Sequence, residues 1–104
     1  TFKTVTFEVT NSTSAVYTAP TGITSIILYA HVTNVTTSAT SYSMFHKRSA
    51  VSTEIANSVI VPANDAHIPM DGKLVLETGD GVTISASANS SLKLILSILE
   101  TANA

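Results

Sequence analysis

Cysteine and tryptophan are both missing from this chain of 104 residues. Without cysteine there is no disulfide and no thiolate metal site, which argues against a small stapled extracellular animal domain and fits assembly inside a cell. Charge is also scarce. Only 12% of residues are charged, against about 25% in ordinary soluble domains, and the net charge is −2. Five basic residues, of which only Lys47 and Arg48 are adjacent, leave no electrostatic footprint for nucleic acid. Long apolar runs are absent too. The longest, as at residues 26–30, fall far short of the roughly 20 that a membrane-spanning helix needs. Residues 1–10 have no apolar centre of the kind a secretory leader carries, so none is expected.

Hydroxyls supply the polarity instead, with 16 threonines and 14 serines. Threonine favours strands, and both residues favour turns. A surface poor in charge and rich in hydroxyls does little to repel other protein. It suits a subunit packed in an assembly, and equally a β domain whose solvent face is Ser/Thr.

The last third of the chain carries the clearest pattern. Leu74 and Leu76 lead into Thr78-Gly79-Asp80-Gly81, after which Val82, Ile84, Ala86 and Ala88 alternate with Thr83, Ser85 and Ser87. A turn at residues 89–91 precedes Leu92, Leu94, Leu96 and Ile98, which alternate with Lys93, Ile95, Ser97 and Leu99. Period-2 alternation puts one set on each face of a pleated strand, and Gly, Asp and Asn tolerate the positive φ of tight connections. The stretch reads as a three-stranded antiparallel meander.

The rest follows the same rule. Residues 2–9 alternate with Val5, Phe7 and Val9 inward and Thr4, Thr6 and Glu8 outward. Residues 15–19 form a short strand stopped by Pro20. Residues 25–34 form a longer one, with Ile26, Leu28, Ala30 and Val32 on one face and Ile27, Tyr29 and His31 on the other. Strands are expected at 41–48 and 54–61, with a short edge strand near His67 and a turn at Asp71-Gly72. Ala50, Glu54 and Ala56 would suit a helix over 49–57, but Val51, Thr53, Ile55 and the run that follows favour strand. About eight short strands, polar turns and no helical period define a single all-β domain over residues 1–104, an antiparallel two-sheet β-sandwich or jelly roll.

Chemistry-bearing groups are few. Asp65, His67 and Asp71 share a loop at a spacing that could hold a cation, but the ligand count is low, and turn-forming aspartates explain them. Glu77 and Asp80 flank a turn rather than a cleft. His31 and His46 fall on adjacent predicted strands, and no G-x-S-x-G elbow accompanies them. Three N-x-S/T triplets begin at Asn11, Asn34 and Asn89 and read as turns. Tyr17, Tyr29 and Tyr42 suit core or interface better than a sugar platform. No catalytic residue, metal or cofactor is assigned. The alternation does leave Ile27, Tyr29, His31, Ile95 and Leu99 outside the main core, as a face for subunit contact.

Several segments resemble a known family. Residues 16–28 (VYTAPTGITSIIL), 62–66 (PANDA), 72–88 (GKLVLETGDGVTISASA) and 92–100 (LKLILSILE) are similar to the small virion structural proteins of tailed bacteriophages, notably of marine and cyanobacterial phages. Asn64 and Thr78 depart from the family's usual Gly and Ala, both in loops. The motifs shape a fold rather than a reaction. The resemblance implies a non-enzymatic virion component assembled in the host cytoplasm, most simply a capsid decoration protein. It would be a homo-oligomer in contact with other capsid or tail subunits. Attachment at the tail, neck or fibre, or a carbohydrate- or receptor-binding module using loops such as 34–40 and 63–71, is the alternative.

Overall fold

Alternation in the last strand sets the core. Leu92, Leu94, Leu96 and Ile98 are all buried, while Lys93 and Ile95 between them are exposed. The computed structural model describes residues 1–70 and 72–103, and these contain strands and turns but no helix. In chain order the strands are β1 (Phe2–Glu8), β2 (Ser14–Thr18), β3 (Ile23–Asn34), β4 (Thr40–Arg48) and β5 (Val51–Val61), then β6 (Ala66–His67), β7 (Leu74–Leu76), β8 (Gly81–Ala86) and β9 (Leu92–Ala102). The ninth element is the two-residue β6 at the expected edge position. Strand β5 starts three residues before the expected boundary and takes in most of the stretch that could have been helical. Asp71 lies outside the described residues, and with it the expected turn at Asp71-Gly72.

Two antiparallel sheets face each other. One runs β1-β9-β3-β6, with β7 also paired to β3; the other runs β2-β8-β4-β5. The chain doubles back on itself near Ser49-Ala50. Arg48 lies opposite Val51, Thr40 opposite Val61, Ser25 opposite Leu76, Tyr17 opposite Val82 and Phe2 opposite Leu99. The protein is thus one long antiparallel ribbon, folded over so that β9 also meets β3 and β8 also meets β4. Ile27, Val32, Tyr42, Met44, Ile84 and Leu96 fill the space between the sheets.

The expected meander does not form. Strand β7 pairs with β3, β8 lies between β2 and β4, and β9 lies between β1 and β3. The loop that was to close a β7–β8 hairpin is engaged elsewhere. The Ala19 amide donates to the Asp80 carbonyl at 2.8 Å, and the Gly79 amide donates to the Ala19 carbonyl at 3.0 Å. With its backbone groups docked on the β2–β3 loop, the chain crosses to the opposite sheet.

A bulge in β3 overturns the expected faces of that strand. Ile27 lies opposite Ile98, but Tyr29 lies opposite the next residue, Ser97, so Leu28 is extra. Ahead of it Ser25 and Ile27 point inward; beyond it Ala30, Val32 and Asn34 do. One inserted residue reverses the side-chain phase. Ile26 therefore faces outward, away from the face on which Ala30 and Val32 lie.

The loops at one end of the sandwich are organised by the buried Asn34 side chain. Its Nδ2 donates to the carbonyls of Ser38 and Val61, and its Oδ1 accepts from the amide and hydroxyl of Thr36. Asn34→Ala leaves several of these groups unpaired and is expected to cost about 2 kcal/mol, read as a lower urea midpoint with unchanged slope.

Candidate assembly face

The face of interest is the outer surface of the β1-β9-β3 sheet. Its members are fixed by cross-strand register, because residues opposite each other share a face. Phe2 pairs with Leu99, Leu99 with Ile26, and Ile26 with Val75. Four apolar side chains therefore line up across four neighbouring strands. In the next rows Thr4 pairs with Ser97 and Ser97 with Tyr29, then Thr6 with Ile95 and Ile95 with His31. Phe2 is 76% exposed, Val75 52%, Tyr29 43% and Ile95 41%. Single exposed apolar residues are ordinary; a contiguous set on one sheet face marks an interaction site.

Of the residues that the sequence nominated for subunit contact, Tyr29, His31, Ile95 and Leu99 lie together on this face. Ile27 does not. It is wholly buried between the sheets, because the bulge at Leu28 reverses the phase of β3. Tyr29 and His31 stack with ring centroids 6.0 Å apart, and His31 Nδ1 lies 3.1 Å from the Thr33 hydroxyl. Sequence reasoning missed Phe2, Ile26 and Val75. Phe2 and Val75 were legible: Phe2 shares the parity of outward Thr4 and Thr6, and Val75 sits between two core-facing leucines. Ile26 was not, since nothing local announces the bulge.

The ionisable groups that stood out serve the fold. Asp80 is buried where β7 joins β8. The Arg48 guanidinium grips it with Nε to Oδ1 at 2.9 Å and Nη2 to Oδ2 at 2.7 Å, and Nη2 also reaches Glu77 at 2.7 Å. The Glu77 amide donates to Oδ2 at 3.0 Å, and His46 Nε2 lies 3.3 Å away. Arg48 above all, then the Glu77 amide and His46, hold the Asp80 carboxyl well below the usual carboxylate range against the opposing effect of burial. The cluster ties the end of β4 to the β7–β8 loop.

His67 Nδ1 bonds the Tyr42 hydroxyl, which burial pushes up to about 12. Asp65 Oδ1 accepts from the Ala66 amide, as a turn residue does, and Asp71 falls outside the described residues. No group of three metal-ligating side chains converges among the described residues. His31 and His46 sit in different sheets, not on adjacent strands. The tyrosines do not share a surface either. Tyr17 and Tyr42 are buried and only Tyr29 faces out. The Tyr17 hydroxyl lies 2.7 Å from Ser25 Oγ and also bonds Glu100, with Lys3 Nζ 5.9 Å above its ring centroid.

Fold and surface together define a class: a two-sheet β-sandwich presenting an apolar sheet face. No family model and no curated protein matches the chain. Solved structures do share the fold. One is a subunit of Bacillus endospore appendages, described as disulfide-linked pili, at a TM-score of 0.58 and 11% identity over 100% of this chain and 87% of that one. Another is a pentameric capsid protein from metagenomic phage sequences, at 0.52 and 17% over 96% of this chain and 62% of that one. A third is the Drosophila NLP-core, a pentamer described as histone-binding, at 0.54 and 14% over 94% and 97%. At such identities the likeness is one of fold.

Proposed function

We propose that this chain is a structural subunit of a tailed-bacteriophage particle, a non-enzymatic capsid decoration protein that assembles with copies of itself through the outer face of β1-β9-β3. The cross-strand row Phe2–Leu99–Ile26–Val75 carries this reading, because an apolar row exposed on a sheet face is stabilised when another protein covers it. We read the nested ribbon as a jelly roll, the arrangement common in viral capsid domains. The phage capsid protein among the structural neighbours and the resemblance in residues 16–28 and 72–88 support the virion setting. The mechanism is mechanical: burial of apolar area, multiplied over many copies, turns weak contacts into firm attachment.

Mass spectrometry of purified particles tests the reading. The chain is expected in fixed ratio to the major capsid subunit, and its absence at any copy number would end the proposal. Ile95→Asp is expected to leave the melting temperature within a few degrees of the native value, since the side chain faces outward. It should cut the amount of chain retained on particles at least tenfold, measured by quantitative blotting.

A further inference from the structure

The partner, its symmetry and its docking geometry can be taken further on the strength of that reading. We infer that two copies of this chain pack outer face to outer face about a two-fold axis, with Phe2 of each entering the hollow beside Thr6 and Ile95 of the other.

The edges of both sheets argue against edge-to-edge pairing. Lys3 on β1 has the inward parity of its partner Ile98 and places a charge there, bridged to Glu100 at 3.7 Å. Strand β2 slips register between Ala15 and Tyr17. Strand β5 slips twice against β4 and carries Ser58 at a φ of 50°. The remaining edge is split between β6 and β7, with Pro69 between them. Inward charges, bulges, short strands and proline are the devices that blunt an edge.

The outer face of the second sheet is mixed: Phe45 lies between Thr83 and Glu54, and Ile60 lies opposite Ser41, the two apolar residues being separated by Ser43 and Ser85. Ser43 Oγ accepts from the Ser58 amide and Ser87 Oγ from the Ser41 amide. The other large exposed apolar residues are dispersed. Val35 lies past the end of β3, Val51 and Ile60 at opposite ends of β5, and Ile68 after β6. A heterologous ring needs two unlike complementary patches, whereas a two-fold contact uses one patch twice. Among the described residues, one contiguous apolar sheet face is present.

Its size and shape fit that use. Phe2, Val75, Tyr29 and Ile95 together expose roughly 400 Å² of apolar surface, taking aromatic side chains at about 150–250 Å² each. That is half of the ~800 Å² per partner in a standard interface, and the threonine rows supply the polar remainder. The face is uneven. Phe2, 76% exposed, projects at one end of the Phe2–Leu99–Ile26–Val75 row. An open hollow of about 350 Å³ lies at the Thr6–Ile95 and Glu8–Lys93 pairs, lined also by Phe7 and Leu94, and a smaller one of about 240 Å³ lies beside Phe2, Thr4 and Ser97. On β1, Phe2 and Thr6 sit two residues either side of Thr4. A two-fold axis between the faces, running along the Thr4–Ser97 row, sets the Phe2 row of one copy over the Thr6–Ile95–His31 row of the other, and the reverse. Facing sheets then lie about 10 Å apart, the usual packing distance.

The chain has no cysteine, so one introduced thiol reports one position. Ser97→Cys lies on the axis and is expected to cross-link to itself through a short bis-maleimide. Ser85→Cys, on the outer surface of the second sheet, is not. Light scattering should give twice the chain mass, and Phe2→Ala should weaken association at least tenfold. Association without Ser97→Cys cross-linking above the Ser85→Cys level, or Phe2→Ala associating like the native chain, would overturn the two-fold geometry. A chain that stays monomeric at high concentration would overturn it as well. In each case particle mass spectrometry separately decides whether the virion reading stands.

Discussion

Ile27→Ala is expected to lower the unfolding free energy by about 3 kcal/mol, the cost of emptying a buried isoleucine site in a packed core. For a domain of this length that is a fall in melting temperature of more than about 10 °C. Ile26→Ala, one residue earlier, should cost less than about 1 kcal/mol, because its side chain lies on the outer face. The pair is read by circular dichroism, extrapolated to low protein concentration to remove any contribution from self-association. The comparison tests the bulge at Leu28 directly. A greater loss at Ile26 than at Ile27 would mean that the phase of β3 is the one that unbroken alternation predicts.

The second large effect is at Asp80. Asp80→Ala removes the acceptor for two Arg48 donors and for the Glu77 amide, in a buried position. Hydrogen bonds to charged groups contribute about 1.5–3 kcal/mol, and a total loss near 3 kcal/mol is expected. The linkage to pH has a definite sign. The folded carboxyl is held below its unfolded value, chiefly by Arg48, so its contribution is complete above about pH 5. It is lost as the pH falls through the ordinary carboxylate value near 4 toward the folded one. The native chain should therefore lose stability in acid faster than Asp80→Asn, and the gap between the two should narrow progressively below about pH 5, closing only as the pH nears the low folded value. Urea titrations at stepped pH measure it; a gap that is constant from pH 7 to pH 2 would show that the Arg48–Asp80 contact does not stabilise the fold.

Glu77 and Asp80 illustrate what a sequence leaves unsaid about chemistry. Beside glycines they look like turn residues, and they are. Their partner Arg48 lies 32 positions before Asp80 on another strand, and the folding-over of the ribbon, which sets β4 beside β8, brings them together. Packing of one sheet on the other places Tyr17 against Glu100 and Tyr42 against His67. Long-range polar pairs of this kind leave no periodic trace.

The outer face was more legible. Tyr29, His31, Ile95 and Leu99 were assigned to it from alternation, and the register of β3 with β9 puts them there. Phe2 and Val75 could have joined them by parity. Ile27 was misplaced because parity counting assumes an unbroken strand, and a bulge is fixed by the partner strand and the packing around it.

The sequence by itself determined the strands: nearly all of their positions, the identity of the core-facing residues in β8 and β9, and the β-sandwich class. These follow from local alternation and turn chemistry, which act over a few residues. Which strands pair was decided only in three dimensions. The last three look like a meander and are instead distributed over two sheets, with the Gly79 amide and the Asp80 carbonyl bonded to Ala19 on the β2–β3 loop. Pairing is a choice among partners distant along the chain, made by the total burial each arrangement achieves, and no single segment encodes it.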